Sequence, residues 1–343
     1  MQMQKRIWGI GLALCLIALV LTIIVVTQKN STVQSTAKPV LRIGYLPITH
    51  AALPLIVESQ SGGKLANFDL EMVKFSNWAE LAEALQAGKI DGGGDILNNL
   101  AFKIVSKGVP LQSVLMAVRA GSALIVKKEI NSVKDLKGKT IAIPSRFSPH
   151  YILLYKLLSD QGLKPETDLT LPEMAPPDMV QALASGGIDG FIVAEPFGAQ
   201  AEEKGIGKVL VLSKDMDIPG SRNLECGITL RKEFIDRYPQ AVQEFVEKMI
   251  QAGIWVDKDP IAAANLIAPM LGQKPATIIH ALIEPPGRSR FVDLYPRKSE
   301  YLALEEYMFS LGLLDKRIDI DVFVNDRFAA QAYKKFGLTQ QQW

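Results

Sequence analysis

The chain has 343 residues, 48% of them apolar and 22% charged, and a formal net charge of +2. That length suits about two domains with a sizeable core, and the mixture is that of a folded α/β protein, not a fibrous or disordered one. Lys5, Arg6 and Lys29 lie in the first 37 residues, which hold no acid, and the rest carries 35 basic against 36 acidic residues; the body therefore has no electrostatic footprint for nucleic acid.

Lys5 and Arg6 precede an apolar run from Ile7 to Thr27. A charged stretch followed by an apolar one is a secretory signal, and this run is also long enough to span a bilayer. Residues 1–37 read as either a signal peptide or an N-terminal membrane anchor. Ser35-Thr36-Ala37 offers small residues for cleavage, whereas Leu14 before Cys15 argues against lipidation there. Both alternatives place the body outside the cytoplasmic membrane, in the periplasm or on the membrane's outer face. Cys226, the one other cysteine, supplies no internal disulfide and no multi-cysteine metal site. It reads as a small buried residue.

From Leu41 onward strand-like and helix-like runs alternate. LRIGYLP (41–47) and FDLEMVKF (68–75) read as strands, and NWAELAEALQAG (77–88) as a helix stopped by Gly. SALIVKK (122–128), GKTIAIP (138–144) and GIDGFIVA (187–194) read as further strands. SPHYILLYKLLSDQG (148–162) is a helix with Ser148 at its N-cap, Pro149 at its first position and Gly162 just past its end. PDMVQALASG (177–186) is another, entered through Pro176, Pro177 and Asp178. Strands spaced by helices of this length imply βαβ units and a largely parallel sheet. The segment 300–343 reads as amphipathic helix packed on the body, and His280 as a structural histidine within a helix.

One pattern occurs twice. ALQAGKIDGGG starts at Ala84 and ALASGGIDGFI at Ala182, sharing Ala-Leu-x-small-Gly-x-Ile-Asp-Gly. In each, a helix stops on Gly and a short strand is expected from Ile90 or Ile188. Lys-Gly at 107–108 and at 204–205 closes the following helix. Two lobes built on one plan imply a cleft between them, where small ligands usually bind.

Four segments together resemble one family: RIGYLPITHAALPLIVE (42–58), WAELAEALQAGKIDGGGDIL (78–97), PSRFSPHYILLYKLL (144–158) and IDGFIVAEPFGAQA (188–201). They look like the solute-binding proteins of ABC importers for nitrate, bicarbonate, sulfonates and taurine, with the first two closer to the nitrate/bicarbonate branch. The resemblance covers nearly all of residues 40–260. It implies an α/β, type II periplasmic-binding-protein fold of two lobes with a central ligand cleft. Lobe one would be residues 40–125 and 225–343, and lobe two residues 126–224, with SALIVKK and the stretch around NLECGITL as the crossovers. It also implies capture of a small anionic or zwitterionic ligand by lobe closure, delivery to the transmembrane subunits of an ABC permease, and a monomer.

In a parallel sheet, ligands sit beyond strand C-termini, where helices begin. Four such positions follow from the strands above. They hold Thr49 and His50; Gly93, Gly94, Asp95 and Asn98; Ser145, Arg146, Phe147 and His150; and Glu195. Trp78, at a helix start, joins them by the resemblance. Backbone N–H groups at helix N-termini hold anions without side-chain charge, and Gly93-Gly94 would let the backbone approach closely. His50 and His150 each add an imidazole donor, or else act as cap or surface residues. Arg146 either grips a carboxylate or sulfonate in bidentate fashion or lies on the surface. Asp95 and Glu195 sit awkwardly beside an anion: either they turn aside as structural groups, or they face an amine such as that of taurine. Ser145 and His150 are the pair whose loss should abolish binding.

No nucleotide fingerprint, metal-ligand spacing or nucleophile–base order is present, so no cofactor, metal or enzymatic activity is expected. The same fold occurs in pyrimidine synthases that use a cysteine-rich motif, absent here. Two alternatives to the anion receptor are a receptor for a thiamin-pyrimidine precursor and a membrane-tethered ligand-sensing domain.

Overall fold

The structure, a computed structural model, describes residues 38–216 and 218–340. The apolar run of residues 7–27 lies outside them; among the described residues no helix is long and apolar enough to cross a membrane.

Among the described residues, ten strands form two sheets. They are β1 (Val40–Tyr45), β2 (Asp69–Lys74), β3 (Gly92–Leu97), β4 (Leu111–Ala120), β5 (Ser122–Val126), β6 (Ile141–Ala142), β7 (Gly190–Ala194), β8 (Lys208–Leu212), β9 (Leu224–Arg231) and β10 (Ser289–Arg290). The larger sheet has the order β10-β4-β9-β3-β1-β2, the smaller β6-β7-β5-β8. Between the named strands, parallel pairing joins β1 with β2 and β3, and β6 with β7. The expectation of a largely parallel arrangement is therefore corrected to mixed sheets. The reason is topological: β9 returns from the smaller sheet and runs antiparallel to both β3 and β4. β4 and β5 are buried along their whole length; β5 is apolar after Ser122, as a strand in a covered sheet should be, whereas β4 also buries Gln112, Ser113 and Arg119.

The chain passes between the sheets twice. The first passage, from β4 to β5, turns at Ala120 (φ 58°) and Gly121 (φ 111°). The second, before β9, turns at Arg222 (φ 51°) and Asn223 (φ 54°). Three non-glycine residues in the left-handed region need support from their surroundings. Arg119, 2% exposed, supplies it: its guanidinium donates to the carbonyls of Arg222 (3.0 Å), Asp293 (2.6 Å) and Tyr295 (3.1 Å) and to Glu300 (2.8 Å).

The repeated Ile-Asp-Gly has a physical meaning in both sheets. Asp91 Oδ2 accepts from the Arg42 amide at 2.9 Å, and its own amide donates to the Arg42 carbonyl at 2.8 Å. Asp189 does the same with Thr140, at 3.0 and 2.8 Å. Each aspartate thus ties a turn to a neighbouring segment 49 residues earlier in sequence. These side-chain clamps hold the two aspartates in turns, so the strands begin at Gly92 and Gly190, two residues after the expected Ile90 and Ile188.

Helix starts follow their caps. Asn77 caps the helix Trp78–Gln86 by accepting from Glu80 N at 3.0 Å. Ser148 caps Pro149–Asp160 by accepting from Tyr151 N at 3.2 Å, and Gly162 stops it at φ 75°, as expected. After a short helix at Pro165–Asp168, the helix expected over 177–186 begins one residue earlier, at Pro176 with Ala175 as N-cap, because proline at the first turn loses no helical hydrogen bond. Near the C-terminus, the helix Lys298–Ser310 packs on the helix Asn98–Ser106 and on β9 of the larger sheet, and the later helix Arg327–Phe336 packs on the helix Pro239–Lys258.

Candidate ligand-binding cleft

A cleft of about 360 Å³ lies between elements of the two sheets. One wall is Asn77, Trp78, Ala79 and Leu100; the other is Pro144, Ser145, Phe147 and Glu173 to Pro176. The N-termini of the helices Trp78–Gln86 and Pro176–Ala184 open on it, as does the loop that leads into the helix Pro149–Asp160. Each N-terminus presents the positive end of a helix dipole. The lining holds one acid, Glu173, and no cation. Across the cleft, Lys103 Nζ stands 5.2 Å from the centre of the Phe147 ring, within cation–π range.

The expected site residues fall into three groups. Trp78, Ser145 and Phe147 line the cleft. Ser145 Oγ accepts from the Phe147 amide at 3.1 Å, and its carbonyl accepts from Ser148 Oγ at 2.6 Å, so this hydroxyl is engaged in shaping the loop.

A second group serves the scaffold. Arg146 turns outward to Glu166 (3.1 Å) and Glu173 (3.5 Å), the surface alternative of the sequence reading. Gly93 and Gly94 do not follow a strand but lie within β3. Their missing side chains make room for the interior: a Cβ on Gly93 would stand 2.1 Å from Ile96 Cγ1, and one on Gly94 2.6 Å from Pro54 Cγ. Close packing against these neighbours requires a bare backbone at both positions. Asn98, buried, donates to the Glu225 carbonyl at 3.3 Å. Its Oδ1 faces Gly227, where a Cβ would stand 2.8 Å away. Glu195, also buried, accepts from Arg288 Nε at 2.7 Å and from the Ala199 amide at 2.9 Å. It is a structural ion-pair member. Thr49 donates to the Glu195 carbonyl through both its amide (2.8 Å) and its hydroxyl (3.1 Å).

The third group is a buried polar cluster where both passages meet. His50 Nε2 lies 3.0 Å from the Gly121 carbonyl and Nδ1 lies 3.1 Å from Cys226 Sγ. A carbonyl only accepts, so Nε2 carries the proton and Nδ1 accepts from the thiol. Burial lowers the His50 pKa, against the opposing pull of Glu225, and pushes the Cys226 thiol well above its ordinary range. Ser122 Oγ donates to Glu225 Oε2 at 2.5 Å and sits 2.9 Å from His150 Nε2. Having spent its proton on Glu225, the hydroxyl accepts from His150 Nε2–H, and His150 Nδ1 is left as a bare acceptor. Burial, with His50 nearby, lowers the His150 pKa to about 3, so the ring is neutral. Asp95, within β3, accepts from the Leu46 amide at 3.1 Å; it does not cap the following helix. Burial raises its pKa to about 8, which keeps it a carboxylic acid at neutral pH. Asp95 Oδ1, His150 Nδ1 and Glu225 Oε1 are buried without a hydrogen-bond partner. Such atoms are costly unless something pairs with them.

Sequence reasoning missed Glu225 and Ser122. The signal for Glu225 was present: one acid inside the apolar run NLECGITL, where an acid is rarely buried unless partnered.

Two sheets joined by two passages around a lined cleft define the type II periplasmic-binding-protein architecture. The structure superposes on the ligand-binding component of an ABC-type import system from Staphylococcus aureus, solved with zinc bound, with TM-score 0.78 and 28% identity over 89% of this chain and 100% of that one. The chain belongs to the NMT1-like family, whose model matches residues 34–272. It is 35% identical over 181 residues to the taurine-binding periplasmic protein of Escherichia coli, covering 52% of this chain and 55% of the relative. It is 28% identical over 258 residues to the nitrate/nitrite binding protein NrtA of a Nostoc species, covering 68% and 57%. The chain spans between 35% and 57% of the length of the first curated relatives it matches.

Proposed function

We propose that this protein is the extracytoplasmic solute-binding component of an ABC importer and not an enzyme. It captures a small oxyanion or organic anion, of the nitrate, bicarbonate, sulfonate or taurine type, between two lobes. Lobe one comprises residues 40–125 and 225–343, lobe two residues 126–224, and residues 1–37 direct the body across the cytoplasmic membrane as a signal peptide or hold it there as an anchor. The observation that carries this reading is the cleft, lined by two helix N-termini, one packed on each sheet, and by the loop that enters a third helix, without a lining cation. The amides of Trp78 and Ala79 head one of these helices and suit an anion, while Pro176 and Pro177 carry no N–H and leave the other to contribute its dipole. The names of the relatives, for taurine, nitrate and import-system components, agree with it.

Ligand bridging both lobes would favour the closed form, which a permease then recognises. Only differential affinity for that form drives the shift. A calorimetric screen of nitrate, bicarbonate, taurine, alkanesulfonates and pyrimidines tests the reading; silence from every compound would sink it. Small-angle scattering at saturating ligand should show compaction, and an unchanged radius would refute lobe closure.

A further inference from the structure

Elements of the two sheets also meet away from the cleft. The helix Phe197–Glu203 packs on β5, β7 and β8 of the smaller sheet, and the helix Pro275–Ile283 packs on β10 of the larger one. A polar seam joins the two helices. Thr277 Oγ1 donates to Glu203 Oε2 at 2.8 Å, and Gln200 bonds to Gln273. Glu202 Oε2 accepts from Arg288 Nη1 at 2.7 Å and lies 3.0 Å from His280 Nε2.

Strand order fixes where this seam lies. Asn77 to Ala79 of the cleft follow β2, and Pro144 and Ser145 follow β6, each an edge strand of its sheet. The seam belongs to the opposite edges: Arg288 leads into β10, and the helix Phe197–Glu203 reaches β8. Between the two edges run β4, β9 and β5, the strands of both passages. Rotation about the passages that narrows the cleft therefore pulls the seam apart.

His280 makes the seam sensitive to protons. Glu284 Oε2 stands 2.9 Å from its Nδ1 and Glu202 Oε2 3.0 Å from its Nε2. A neutral ring has one N–H and satisfies one carboxylate; the imidazolium satisfies both. In the neutral ring Nε2 can instead accept from Arg288 Nη1, 3.0 Å away, and Glu202 then loses a donor. Burial lowers the His280 pKa, but the bonds to Glu202 and Glu284 outweigh burial and the Arg288 charge and raise it. On the elements packed against this helix, the remaining charged or titratable groups are Glu203, Arg290 of β10 and His50, whose ring is bonded to Gly121 and Cys226.

We propose that the seam is a counterweight to cleft closure, set by the proton on His280: made, it holds the cleft wide, and closing the cleft around a solute breaks its bonds from Glu202 and Glu203. This rests on the cleft being a solute site that closes. Breaking the Glu202 bond removes a group that holds the proton on His280, so the wide form binds that proton more tightly than the closed one. Affinity for solute therefore falls as pH drops through the raised pKa towards the ordinary value, and levels off below it.

Calorimetry on the full chain with taurine, ethanesulfonate and nitrate at pH 5.5, 6.5 and 7.5 tests this, since none of the three changes charge in that range. A probe that binds should do so at least about fivefold more weakly at pH 5.5 than at pH 7.5. His280→Gln should flatten that dependence and bind more tightly than the native chain at pH 5.5. Thr277→Val, which spares the histidine, should bind more tightly at every pH and keep the dependence. A flat native profile, a profile that His280→Gln leaves unchanged, or variants that bind more weakly throughout overturn the counterweight and leave the solute reading intact. If no probe binds, bicarbonate and pyrimidines included, the solute reading falls and scattering decides the seam alone. The ligand-free radius of the double variant His280→Gln, Thr277→Val should then be smaller than the native one at pH 5.5; an equal radius overturns the counterweight as well.

Discussion

Replacing Asp95 by Asn should make the protein more stable, and by an amount that grows with pH. The carboxyl is fully buried, and its pKa rises from 3.8 to about 8 because burial disfavours the charged form more than the Leu46 N–H favours it. An acid whose folded-state pKa exceeds its unfolded value binds more protons when folded. Stability therefore falls as pH rises from the unfolded value, and the loss is complete above the folded one. The slope is about 1.4 kcal/mol per pH unit, which gives roughly 2 kcal/mol lost by pH 5 and roughly 4 kcal/mol by pH 7. Asn copies the shape and hydrogen-bond acceptor of the neutral acid but does not titrate. Urea unfolding of both proteins at pH 5, 6, 7 and 8 isolates the effect, because every other titrating group is shared. The difference in unfolding free energy should widen by roughly 3–4 kcal/mol from pH 5 to pH 8 and level off above that. A difference that stays flat across this range, or an Asn variant less stable at pH 8, would refute the argument that burial keeps Asp95 protonated.

Glu195→Ala leaves the guanidinium of Arg288, which is 1% exposed, without its nearest carboxylate and should destabilise by about 3–5 kcal/mol in chemical unfolding. Arg146→Ala breaks exposed pairs with Glu166 and Glu173, a long 3.5 Å bond to the Leu171 carbonyl and a contact with the Tyr151 ring. It should cost at most about 1 kcal/mol and leave ligand affinity, read by calorimetry, unchanged. Gly94→Ala places a methyl 2.6 Å from the rigid Pro54 ring and should lower stability by about 1–3 kcal/mol through overpacking, visible as a lower urea midpoint. Trp78→Ala removes a wall of the cleft and a side chain that is only 6% exposed; it should weaken whichever solute binds and cost about 3–5 kcal/mol in urea unfolding.

What the sequence made legible was local. Ser148, Pro149 and Gly162 start and stop a helix through bonds made within a few residues, and they do so where expected. The repeated Ile-Asp-Gly pointed to one construction used twice, and the paired Asp91 and Asp189 clamps give it a physical basis. The antiparallel return of β9 was not legible, since direction within a sheet is set by a connection some hundred residues long. Gly93 and Gly94 read as a loop because glycine is permissive; only the packing of Pro54 and Ile96 shows that they are a strand stripped of side chains. The Ser122–His150–Glu225 chain joins residues 28 and 103 apart, and no spacing rule brings such residues together. Arg288 escaped notice for the same reason, although it decides that Glu195 is a scaffold residue.

The two passages between the sheets share one side chain. Arg119 immediately precedes the left-handed turn at Ala120 and donates to the carbonyl of Arg222 in the other turn. Torsion at one passage is thus geared to torsion at the other. The two connections are in this sense one joint, pinned by a single buried guanidinium.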